Sequence, residues 1–204
     1  LEWKRSYVSA LKREILLRRS EVDSTRVPSL YIGGGTPSQL PSDLLIDVFQ
    51  AIRDNFTLTD DAEVTIEVNP DDVTPSWMEA LRQTPVNRIS MGVQTFSDDL
   101  LQLLNRRHTS KQALQAVQLF REAGYENISL DLIYGLPGQT LEDWQYDVQQ
   151  LLKLDVPHLS AYALSYEEGT PLHQMLQEGK VSETSEELSW RMYEYLMDEA
   201  EAAG

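Results

Sequence analysis

The 204 residues contain no cysteine, so they can form no disulfide and offer no thiolate to a metal. No apolar run approaches the roughly 18–20 residues that cross a bilayer. No leader-like segment opens the chain. Basic residues are scarce, 17 Lys and Arg against 33 Asp and Glu, and the formal charge of −16 argues against general affinity for nucleic acid or anionic membrane. These absences lead to the expectation of a soluble, cytoplasmic protein. The basic residues that exist crowd the first segment (Lys4, Arg5, Lys12, Arg13, Arg18, Arg19), and the final stretch is acidic; such blocks read as solvated helix faces. His108, His158 and His173 share no metal-ligand spacing, and no Ser–His–Asp arrangement can be argued.

What is present suffices for one domain with a core, since 41% of the residues are hydrophobic. Helical spacing of Tyr7, Val8, Leu11, Ile15 and Leu16 predicts a helix over 5–19. Short strands are predicted over 29–32, 63–68, 88–93, 127–133 and 159–164. Helices are predicted after Pro41 and over 76–83, 98–104, 110–123 and 141–154, with more helix beyond, broken near Gly179. Strand and helix alternate at the spacing of βαβ units and a parallel sheet. A complete eightfold barrel needs roughly 250 residues. Five units therefore predict an open or partial parallel (β/α) barrel, with both termini read as cuts through a longer protein.

The strands are two-faced. Val64, Ile66, Val68, Ile89, Met91, Val93, Ile128, Leu130 and Leu132 form the apolar face, expected to pack on outer helices. Glu63, Thr65, Glu67, Ser90, Gly92, Gln94, Ser129, Asp131, Ser160 and Tyr162 form the other, expected to line the barrel interior. Buried polar groups need partners, at about 1–3 kcal/mol each. Water, one another or a polar ligand could supply them. Glu67 and Asp131 are expected toward the C-terminal ends of their strands, where parallel barrels place their sites.

Gly33-Gly34-Gly35-Thr36-Pro37 follows the first strand and lets a ligand approach bare backbone, or simply makes a tight turn. It is neither a dinucleotide fingerprint nor a P-loop. Glu67-Val68-Asn69-Pro70 and Gly92-Val93-Gln94-Thr95-Phe96 end the next two strands. Asn105-Arg106-Arg107-His108 lies between helices, where a guanidinium can grip a carboxylate with two bonds. Asp131 begins a run through Tyr134-Gly135-Leu136-Pro137-Gly138-Gln139-Thr140 into a helix.

In this order and spacing, these segments resemble the oxygen-independent coproporphyrinogen III oxidase-like radical S-adenosylmethionine (SAM) family over nearly the whole chain. The resemblance implies a partial radical SAM barrel over residues 1–204, lacking its first strand, its cluster-binding segment and a C-terminal domain. A Cys-x3-Cys-x2-Cys loop absent from this chain would hold a 4Fe–4S cluster, whose open iron binds SAM. Electron transfer would then yield methionine and a 5′-deoxyadenosyl radical. By motif, Gly34, Gly35 and Thr36 would lie against the methionine end of SAM. Glu67 would accept its amino or ribose donors, Arg106 would sit by a carboxylate, and Gln94 and Asp131 would face the same cavity. The family has an oxidase branch, which decarboxylates coproporphyrinogen III to protoporphyrinogen IX, and a haem chaperone branch. Tyr162-x-Leu164 followed by Glu167-Glu168-Gly169-Thr170-Pro171 looks like the chaperone branch; Ser165 stands near the position of an oxidase alanine. The implied partners are a porphyrin or haem, with a haem-receiving protein or electron donor, and no nucleic acid. An ordinary TIM-barrel enzyme using a phosphate or nucleotide, without a cluster, is the alternative from another class.

Overall fold

The computed structural model describes residues 2–204. Five strands form one all-parallel sheet: β1 (Arg26–Ile32), β2 (Thr57–Val68), β3 (Arg88–Gln94), β4 (Ile128–Tyr134) and β5 (His158–Ala163), hydrogen-bonded in chain order. The sheet curls into a half-barrel. Helix α1 (Glu2–Arg18) precedes it. The crossovers carry α2 (Ser42–Asn55), α3 (Pro75–Leu81), α4 (Asp98–Leu103), α5 (Ser110–Glu122) and α6 (Leu141–Lys153); α7 (Pro171–Gln177) and α8 (Glu186–Ala203) follow β5. Among the described residues no helix is long and apolar enough to cross a membrane.

The helices start where their sequences supply a cap. Thr109 with Gln112, and Thr140 with Asp143, form reciprocal capping boxes at α5 and α6. The apolar strand face and the inner helix faces make one core, in which Ile66, Ile89, Met91, Leu130 and Leu132 are fully buried. Trp144 of α6 is buried there too, and its Nε1 donates to the Met192 carbonyl at 2.8 Å, fastening α8 to the layer. A second cluster joins Val8 of α1 to Leu44, Val48 and Ile52 of α2. This stripe is narrow: Leu11 and Ile15 reach it, whereas Tyr7 and Leu16 stay exposed despite their helical spacing.

Three strands differ from their predicted course. β1 begins at Arg26 rather than 29. β2 begins at Thr57 rather than 63, because Arg26 and Val27 pair with Thr57 and Leu58 before a register shift brings Ser29 opposite Glu63. Asp60 and Asp61 lie in that irregular stretch, and aspartate's poor fit to strands hid the extension. β3 carries a bulge: Gly92 pairs with Asp131, yet Gln94 pairs with Leu132, leaving Val93 extra. Asp131 is the fourth residue of the seven in β4, so it sits at mid-strand rather than toward the end.

Candidate functional site

The C-terminal strand ends and the loops that follow them line a cavity of about 240 Å³ that is open to solvent. Gly35 and Thr36 border it from the loop after β1. Glu67, Val68 and Asn69 come from the end of β2, and Ser90, Gly92 and Gln94 from β3. Asp131 comes from β4 and Arg106 from the loop between α4 and α5. Of the seven residues expected to contact SAM, only Gly34 is not on its wall; it borders an adjoining groove beneath α1 with Gly33, Tyr31 and Trp3.

Gly34 still meets the cavity through Glu67. Its N–H donates to Glu67 Oε2 at 3.1 Å, while Tyr31 Oη donates to Oε1 at 2.8 Å. Gly34 has φ +84°, the left-handed region that favours glycine. Gly33 is required for a different reason. A Cβ there would lie 2.6 Å from Glu67 Cδ and Oε1 and from Tyr31 Cε1. Burial and the Glu67 carboxylate together push the Tyr31 phenol above its ordinary value.

The other ionisable groups face the space differently. Burial pushes the Asp131 carboxyl up; the Ser160 hydroxyl opposes this, and the charge of Glu67 adds to it. Arg106 is half-buried, and burial lowers its pKa against a partial offset from Asp71. No salt bridge joins Arg106 to a carboxylate among the described residues. Its neighbours in sequence do otherwise. Arg107 turns outward to pair with Asp71 at 2.8 Å and Asp72 at 3.1 Å. His108 is buried, with Nε2 3.1 Å from the Val93 carbonyl, and burial lowers its pKa. The dipeptide of arginines thus divides into one residue in the cavity and one in a brace.

That brace joins three loops. Asp72 accepts from Ser38 Oγ at 2.7 Å and from Arg107, and Ser38 Oγ accepts from the Asn69 N–H at 3.1 Å. The loops carrying Thr36, Asn69 and Arg106 are thereby tied together. Sequence reasoning assigned no role to Tyr31, Ser38 or Asp72 and took Gly33 only as part of its glycine run; the contacts of the three polar residues with Glu67, Asn69 and each other span more than thirty positions.

The chemistry follows from the donor set. Unpaired guanidinium, carboxylates and a carboxamide, beside backbone free of side chains, suit a small zwitterionic ligand. Gly35 has no atom within 4 Å of where its Cβ would be, leaving room beside the wall. The 204 residues do not fit an iron–sulfur cluster in the same way: they have no cysteine, and no group of three or more His, Asp or Glu able to hold a metal occurs among the described residues.

A parallel half-barrel with its polar cavity at the C-terminal strand ends is of the α/β-barrel class, whose sites lie at that face. The chain matches the Radical SAM superfamily over residues 4–151, and it belongs to that superfamily. It is 37% identical over 199 residues to "Heme chaperone HemW" of Bacillus subtilis, covering 97% of this chain and 52% of the relative. The heme chaperone HemW of Lactococcus lactis is 39% identical over 193 residues, covering 95% and 50%. Among solved structures, coproporphyrinogen III oxidase HemN of Escherichia coli, described as a radical SAM enzyme, superposes with a TM-score of 0.87 at 27% identity, covering 98% of this chain and 46% of that one. The chain spans about half the length of the curated relatives it matches. Membership of the superfamily implies SAM and a 4Fe–4S cluster at the level of the family, and sets aside the ordinary TIM-barrel enzyme.

Proposed function

We propose that this chain is the SAM-binding half-barrel of a cytoplasmic haem chaperone of the radical SAM class. The observation that carries the proposal is the pairing of opposite needs in one cavity: Arg106 half-buried without a carboxylate partner, and Glu67 held in place by Gly34 and Tyr31. A SAM carboxylate answers the first, and its ammonium or ribose hydroxyls answer the second. Gly34, Gly35 and Thr36 leave backbone open to the methionine end, and Gln94 and Asp131 supply further donors and acceptors on the same wall. SAM, bound with a cluster whose thiolates come from outside these residues, would supply one-electron chemistry. The residues present here bind and orient.

The branch rests on the relatives at 37% and 39% identity named as heme chaperones. It rests also on the pattern Tyr162-x-Leu164 and Glu167-Glu168-Gly169-Thr170-Pro171 after β5, which resembles that branch; there Thr170 caps α7 by accepting from the His173 N–H. Ser165 Oγ donates to Glu167 in the same loop. Haem would be the cargo, and a haem-receiving protein the partner.

The test is anaerobic incubation of protein carrying the family's Cys-x3-Cys-x2-Cys segment and a reconstituted cluster. SAM, reductant and coproporphyrinogen III are supplied, products are read by mass, and haem is titrated in parallel. Stable haem binding without decarboxylation is expected. Loss of two carboxyl groups at a catalytic rate would assign the oxidase branch instead.

A further inference from the structure

We infer that Asp147 is a positioning residue for the cavity: from outside its wall, it fixes the turn leaving β3 and so aims Gln94 across Gly92. Asp147 belongs to α6 and is 1% exposed. Its carboxylate accepts from Thr95 Oγ1 and from the Phe96 N–H, each at 2.7 Å, and Gln139 Nε2 stands 3.4 Å away. Gln139 Oε1 in turn accepts from the Leu136 N–H at 3.1 Å. One buried carboxylate therefore ties the exit of β3 to the loop after β4.

The conformation it holds is one that the local sequence does not favour. Gln94 has φ +71°, in the left-handed region that side chains disfavour, just after the bulge at Val93. Its Nε2 lies 2.5 Å from where a Cβ on Gly92 would be, so the carboxamide is folded over that glycine on the cavity wall. On one side of Gln94, the Val93 carbonyl is held by His108; on the other, Thr95 and Phe96 are held by Asp147. Without the second anchor, the turn keeps only the His108 contact, the Ser97 N–H bond to Thr95 Oγ1 and the pairing with Leu132, and Gln94 is freer to relax to an extended conformation that swings its side chain off Gly92.

The binding arm of the test rests on the SAM reading; the structural arm does not. The ¹³Cα shift of Gln94, which separates left-handed from extended backbone, is measured in the ligand-free chain, and SAM affinity is measured by calorimetry. Asp147→Ala is expected to move the Gln94 shift toward the extended value and to weaken SAM about tenfold, or about 1.4 kcal/mol. Asp147→Asn, which keeps an acceptor for the Phe96 N–H, should restore most of both. In a Gln94→Ala background, Asp147→Ala should cost less than about twofold more, because the two residues act through one contact. Should Asp147→Ala fail to fold, Thr95→Val removes one donor from the turn and should still move the Gln94 shift. An unmoved Gln94 shift in these variants, or an equal loss of affinity with and without Gln94, would overturn the inference. Absence of SAM binding by the unmutated chain would defeat the cofactor reading alone, and the carbon shift would still decide the role of Asp147.

Discussion

The backbone N–H of Gly34 donates to Glu67 Oε2 at 3.1 Å and so fastens the glycine run after β1 to the end of β2, beside the Ser38 contacts that join the same loops. Tyr31 holds the other carboxylate oxygen at 2.8 Å. Gly33 lies directly beneath the carboxylate, so the glycine run is shaped around Glu67 as much as around any ligand.

Gly33→Ala tests that packing. A Cβ 2.6 Å from Glu67 Cδ cannot be accommodated without displacing the carboxylate. The atoms met are the movable ends of the Glu67 and Tyr31 side chains, so the variant should lose only about 1 kcal/mol of stability, the low end of what overpacking costs, while SAM affinity should fall as the carboxylate moves. Gly35→Ala, which meets no atom within 4 Å, should leave stability nearly unchanged. Urea melts of the two variants compare these outcomes directly.

The two arginines should separate by function. Arg106→Ala is expected to weaken SAM by about tenfold or more, since charge-assisted bonds are the strong ones, with little loss of stability because Arg106 forms no salt bridge among the described residues. Arg107→Ala should do the reverse. Its side chain is 56% exposed, so the pairs with Asp71 and Asp72 should contribute no more than about 1 kcal/mol. Calorimetry with SAM, paired with thermal melts, reads both.

Much of this was legible in the sequence. The recurrence of strand and helix pointed to five parallel strands, and alternation along the inner strands pointed to the buried set from Val64 to Leu132, because a half-buried strand writes its two faces in period two. Arg106 was legible only as part of a motif; nothing local separates it from Arg107, and the contacts with Asp71 and Asp72 that do so reach across more than thirty residues. Gln94 was expected on the inner face by simple alternation. It borders the cavity through a bulge and a positive φ that alternation does not foresee. Asp147 lies on a helix whose sequence reads as an ordinary amphipathic one, and its role depends on two loops from elsewhere in the chain.

Asp147 also predicts a pH dependence. Burial pushes its carboxyl up to about 6, against the Phe96 N–H and the Thr95 hydroxyl, which favour the charged form. A carboxyl raised on folding contributes stability that is present below its unfolded value, about 3.9, and is lost as pH rises through about 6. Between about pH 5 and about pH 7.5, the unmutated chain should therefore lose on the order of 1 kcal/mol relative to Asp147→Asn. Urea melts of both proteins at the two pH values measure the difference; a parallel pH response would remove Asp147 as its source.

The chain alone should not cleave SAM reductively. It has no cysteine, and cluster iron is held mainly by thiolates. Anaerobic incubation with iron, sulfide, reductant and SAM, followed by chromatography, should yield no 5′-deoxyadenosine above a protein-free control. Turnover by these 204 residues would mean that another set of ligands serves.

The proposed SAM site lies in the cavity at the strand ends. Titration of the isotope-labelled chain with SAM, followed by amide chemical shifts, tests it even where binding is weak. Saturable shifts are expected to concentrate at Gly34, Gly35, Thr36, Glu67, Gln94, Arg106 and Asp131, with the groove lined by Thr140, Leu141, Glu183 and Ser185 at the starts of α6 and α8 undisturbed. Saturable shifts confined to another surface, or none at millimolar SAM, would contradict it.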